Sequence, residues 1–149
     1  MKRLLLILVS LVVAGSILAQ QNPSPSLSDR AISASIAFAK NLWERVQKEG
    51  RPLANRLLKA APETYKGAQA QLQALMKRVD KADIPKTFSE KQQMALEIWK
   101  LRGAINVMSL SDPEVVKMLL NYRPEVVQKM QKDLQQTETK LKKANLPGI

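Results

Sequence analysis

Thirteen carboxylates, with no histidine and no cysteine, make up the acid–base repertoire of this chain. The imidazole base, the thiolate nucleophile and the commonest zinc ligands are therefore missing, and any proton transfer would fall to Asp and Glu. Asp80/Asp83 and Asp112/Glu114 are the close pairs, while Glu90 and Glu97 lie seven residues apart, on one face of a helix. Asp112 and Glu114 read better as helix-start acids beside a helix dipole. Asp80 and Asp83 fall in a helix exit crowded with lysine, which suits a solvated turn. The five glycines are scattered, so no phosphate-cradling loop can be assembled from them. The sequence points to a protein that is not an enzyme, with no catalytic residue, no metal and no cofactor.

Binding is the better reading, and two sets of residues could carry it. Trp43, Tyr65, Trp99 and Tyr122, with the adaptable methionines, could line an apolar pocket. The alternative for aromatics at helical spacing is simple core filling. Lys129, Lys132, Lys140, Lys142 and Lys143 are the candidates for a basic surface. Within them, Lys129–Asp133 and Glu138–Lys142 have the spacing of solvated helical ion pairs. Lys140–Lys143 also complements the negative end of its helix. Nucleic acid is not expected as a partner, because base-stacking aromatics among the positive charge are wanting: the chain has six aromatic residues, mostly at core-spaced positions. An anionic envelope or membrane surface fits better. Without Lys2 and Arg3, 22 basic residues stand against 13 acidic ones, a net charge of +9.

The elements that would position these residues occur twice. Residues 62–85 (PETYKGAQAQLQALMKRVDKADIP) align without a gap on residues 124–147 (PEVVQKMQKDLQQTETKLKKANLP), at an offset of 62. Pro62/Pro124, Glu63/Glu125, Leu72/Leu134, Lys81/Lys143 and Pro85/Pro147 are among the identities. Each copy has the punctuation of one helix: proline and an acid in the first turn, and an exit closed by proline. Spacing repeats as well. Ser28 to Pro52, Pro52 to Pro62 and Pro62 to Pro85 span 24, 10 and 23 residues; Ser89 to Pro113, Pro113 to Pro124 and Pro124 to Pro147 span 24, 11 and 23.

Apolar stripes at spacings of three and four predict helices over 28–48, 52–60, 62–81, 89–108, 113–122 and 124–144, and no strand. Ser28 and Ser89 are the expected N-caps of the long helices, with Gln92 placed as a capping-box partner of Ser89. The fold class is thus all-α: a six-helix bundle of two tandem long-short-long three-helix units, residues 27–85 and 86–149, with approximate internal two-fold symmetry. Each unit alone is too small to bury enough surface, so the two should form one domain.

Lys2 and Arg3, followed by the mostly apolar stretch Leu4–Ala19, read as a cleavable signal peptide over residues 1–19, cut near Ala19. At 16 residues the stretch is short for a membrane span, which needs about 20. Residues 20–26 (QQNPSPS) read as a disordered polar leader. The expected location is secreted or periplasmic, with no membrane span in the mature chain. The expected function is a cationic helical binding module holding an apolar ligand or unfolded chain between its units. The alternatives are electrostatic docking on an anionic surface or acidic partner and, behind it, an enzyme using carboxylates only.

Overall fold

The computed structural model describes residues 25–147 and 149. Every element among them is helical and no strand is present among the described residues. In chain order they are α1 (Pro25–Glu49), α2 (Arg51–Ala60), α3 (Pro62–Lys66), α4 (Ala68–Asp80), α5 (Phe88–Leu110), α6 (Pro113–Leu120) and α7 (Pro124–Leu141), followed by a 3-10 turn, Lys142–Ala144. Counting α3 and α4 as one interrupted helix leaves the six that the sequence predicts. The expected signal segment 1–19 and leader residues 20–24 lie outside the described residues. Pro25 and Ser26, also assigned to the leader, are instead the first turn of α1, where proline's fixed φ suits a helix start.

Two other local expectations need correction. The N-cap of α5 is Thr87, not Ser89: its hydroxyl accepts from the Glu90 N–H at 3.2 Å. Glu90 reaches back to accept from the Lys86 N–H at 3.2 Å, one residue before the cap, so the capping pair is Thr87/Glu90, two residues earlier than Ser89/Gln92. Gln92 is buried, and its Oε1 has no hydrogen-bond partner among the described residues. The helix expected over 62–81 is broken at Gly67, whose φ of −84° and ψ of −2° end α3. Glycine is a poor helix former, and the aligned residue of the second copy, Lys129, sits inside the unbroken α7.

The predicted stripes form the core. Ile32, Ile36 and Val46 of α1, Leu53, Leu57 and Leu58 of α2, Tyr65 of α3 and Ala68, Leu72, Leu75 and Val79 of α4 are all buried. So are Met94, Ile98, Leu101, Ile105 and Met108 of α5, Val116 and Leu120 of α6, and Val127, Met130, Leu134 and Leu141 of α7. Residues of both units belong to one continuous cluster. Thr137, which interrupts the α7 stripe, is buried as well and returns its hydroxyl to the Asp133 carbonyl at 2.7 Å.

Helices that correspond in the repeat pack side by side. Gln47 Nε2 donates to Asn106 Oδ1 at 2.7 Å near the C-terminal ends of α1 and α5, and Trp43 meets Trp99 earlier on both, so these helices run parallel. Tyr122 Oη donates to the Lys66 carbonyl at 2.6 Å where the two repeats begin. Lys140 Nζ meets Asp80 Oδ1 at 2.9 Å where they end, so α4 and α7 are parallel too. Between α2 and α6, the Asn55 Oδ1 accepts from the Asp112 N–H at 2.8 Å. The remaining contacts are unequal. α5 packs against every other helix, whereas α1 packs chiefly on α5 and less extensively on α2. α5 matches that position by burying Ala95, Trp99 and Val107 in addition to its predicted stripe.

Candidate functional site

Trp99, on the central helix, gathers the most distinctive side-chain cluster. Its ring is 9% exposed and meets Trp43 of α1 edge-on, with centroids 6.3 Å apart and planes at 81°. Such T-shaped pairs place the positive edge of one ring on the negative face of the other. Two cations use the same ring: Lys40 Nζ is 5.3 Å from its centroid and Arg102 Cζ 4.5 Å. Arg102 sits one turn after Trp99 on α5, which puts the guanidinium over the indole. From there it grips Glu138 of α7 with two bonds, Nε to Oε1 at 2.6 Å and Nη2 to Oε2 at 2.9 Å. A bidentate Arg–carboxylate pair fixes orientation as well as charge. The expected pair Glu138–Lys142 does not form, because the carboxylate turns to Arg102 on the neighbouring helix.

Beside this pair lies a shallow pocket of about 350 Å³, lined by Arg102, Glu138, Leu141, Lys142, Leu146 and Ile149 among others. None of the four predicted aromatics lines it. Trp43 and Trp99 are brought together by α1 and α5. Tyr65 is buried in the core, and that burial pushes its hydroxyl up to about 12. Tyr122 is half-buried and fastened to Lys66 by the hydrogen bond described above. Burial also lowers the pKa of Lys100, with the charge of Glu97 opposing the shift.

The predicted basic residues divide in two. Lys129 pairs with Asp133 at 2.6 Å, as the spacing implies, and Lys140 pairs with Asp80. Lys132, Lys142 and Lys143 are exposed and have no ion pair among the described residues. The carboxylates considered for catalysis are mostly engaged: Asp80 with Lys140, Asp83 and Glu97 with Arg78, Asp112 capping α6 and Glu90 capping α5. Among the described residues, no group of three or more acidic side chains is placed to hold a metal ion. None of the described helices is long and apolar enough to cross a membrane.

Sequence reasoning missed Arg102 and Glu138. The signal available was slight: Arg102 stands beside the apolar stripe of α5 with no acid three or four residues away, but Glu138 has Lys142 one turn on within its own segment. Comparison with models of known protein families, with curated proteins and with solved structures gives no match to this chain.

Proposed function

We propose that this is an exported, non-catalytic helical module that docks through its positive charge on an anionic surface or acidic partner. The observation that carries this reading is a buried cluster that runs continuously through both units. Leu58 and Leu72 of the first unit and Ile98 and Leu134 of the second lie in one buried cluster, so an apolar ligand between the units would need space that side chains already occupy. What the chain leaves on its outside is charge in excess, including Lys132, Lys142 and Lys143 without ion pairs among the described residues. The parallel pairing of α1 with α5 and of α4 with α7, and the contact of α2 with α6, support reading residues 27–85 and 86–149 as a duplicated unit whose first helix later took a peripheral place.

Salt separates the two modes. Attraction between exposed charges is screened beyond about 8 Å at physiological ionic strength, whereas apolar burial is little affected. Binding of the full chain to polyglutamate and to phosphatidylglycerol vesicles should fall steeply as salt is raised to that level. Retention that ignores salt, together with saturable uptake of an apolar dye, would overturn the electrostatic reading in favour of the apolar one.

A further inference from the structure

One end of the bundle combines exposed apolar side chains with lysine. Phe88 is 59% exposed and Ile84 is 37% exposed, four residues apart where the connector from α4 enters α5. Pro85 between them is buried, which pins the connector to the bundle and turns its neighbours outward. Lys81 and Lys86 are exposed on the same connector, and Lys91 follows within the first turns of α5. From Lys77 to Lys91 five basic residues face three acidic ones, Asp80, Asp83 and Glu90. The acids are occupied locally: Asp80 by Lys140, Asp83 by Arg78 at 3.8 Å and Glu90 by the cap of α5.

The chain's own course marks the same end. Because α1 and α5 run parallel, α1 begins where α5 begins. The described chain therefore enters the bundle, at Pro25, at the end where α5 starts. Of the other exposed large apolar residues among those described, Ile149 at 41% follows α7, and Met118 at 74% lies on α6, beyond the far end of α5. The 23 residues of α5 put about 34 Å between the two ends.

We infer that the Ile84/Phe88 end docks on a bilayer surface rich in anionic lipid. Phe88 and Ile84 enter the headgroup–acyl boundary, and Lys81, Lys86 and Lys91 meet the phosphates. This rests on the electrostatic reading above and names the surface and the face that meets it.

The absence of cysteine permits a direct test in the full chain. Phe88→Cys and Met118→Cys, each carrying an environment-sensitive fluorophore, are titrated with phosphatidylcholine vesicles with and without phosphatidylglycerol. The expected result is binding that requires phosphatidylglycerol, a blue shift at position 88 and none at 118. Ile84→Ser with Phe88→Ser, both at exposed positions, should then weaken vesicle binding about tenfold. Phosphatidylglycerol-dependent binding without a shift at 88, or with a shift at 118, overturns the assigned face and leaves electrostatic docking standing. Equal binding to neutral and anionic vesicles overturns both; no binding to either overturns the bilayer, and overturns the electrostatic reading too if polyglutamate is also not bound.

Discussion

α1 and α5 open the two repeated units, yet they have different surroundings. α1 keeps one apolar face: Ile32, Ile36 and Val46 are buried while Ser33, Ala34, Phe38 and Asn41 are not. α5 buries residues on several faces and touches every other helix. The difference teaches what a duplicated sequence can and cannot transmit. Equivalent stripes let equivalent helices find each other in pairs, but a single core has one centre. Only the helix with apolar side chains beyond its stripe can occupy it. Trp99 is one such side chain, and its register partner in the first unit is Phe38, half-buried at the edge of α1.

That contrast is most easily broken by cavity-forming substitutions. Ile98 is completely buried in α5, while Ile36 in α1 retains 6% exposure. Ile98→Ala should cost about 4–5 kcal/mol and Ile36→Ala about 2–3 kcal/mol, because a central site cannot collapse around the void. Urea denaturation of the two variants measures the difference. Equal costs would mean that α1 is as much part of the centre as α5.

A second comparison sits inside the repeats. Tyr65 and Val127 occupy the same position in the two copies and both are buried, but only the tyrosine titrates. Its folded pKa is raised from 10.0 to about 12 by desolvation. Between those values the folded state holds the proton more tightly than the unfolded one, so stability falls as pH rises through that window. The full loss is of order 2–3 kcal/mol, and it should vanish from the pH profile of Tyr65→Phe in thermal unfolding between pH 9 and about 12. A profile unchanged by the substitution would place the alkaline sensitivity elsewhere.

These pairs also show how far the sequence could be read. The stripes, the prolines and the glycine at position 50 announce the helices, because periodicity and backbone restriction act locally. The centrality of α5 was only half legible: Ala95, Trp99 and Val107 break the one-face pattern, but which helix covers them depends on packing. The Trp99–Arg102–Glu138 arrangement joins residues 36 positions apart in sequence at its last link. Nothing in the spacing within α7 distinguishes that partner from Lys142. The cap of α5 was misplaced for a simpler reason, since Thr87 and Ser89 both precede suitable residues and geometry chose the earlier one.

The exits of the two copies differ by a residue and give a smaller test. In the first copy the Asp83 N–H bonds to the Arg78 carbonyl at 3.0 Å and the Ala82 N–H to the Val79 carbonyl at 3.0 Å, the two bonds of a Schellman motif. The left-handed position of that motif is Ala82, with φ of 55°. The second copy reaches its left-handed residue one position later, at Asn145 with φ of 52°, where asparagine tolerates the conformation. Ala82→Gly should therefore stabilise the chain by about 0.5–1 kcal/mol, while Asn145→Gly changes stability by only a few tenths. Paired denaturation curves in which Ala82→Gly destabilises would show that the motif is not formed in solution.

The smallest expected effect concerns the break between α3 and α4. Gly67 has a backbone conformation open to any residue, and a Cβ built there meets only Gln71 Nε2, at 3.6 Å, an ordinary contact. Glycine is therefore not required at this position, unlike a residue with positive φ. Replacing it by alanine reduces the freedom of the unfolded chain and restores helix propensity, for a gain of about 0.5 kcal/mol. If glycine alone interrupts the first copy, Gly67→Ala should also join α3 to α4 and make the segment resemble α7. Hydrogen exchange at the amides of residues 67–71 would then slow in step with the rise in stability. A gain in stability with exchange unchanged would assign the break to packing around Tyr65 and Tyr122, the side chains that hold α3 against its neighbours, rather than to the glycine.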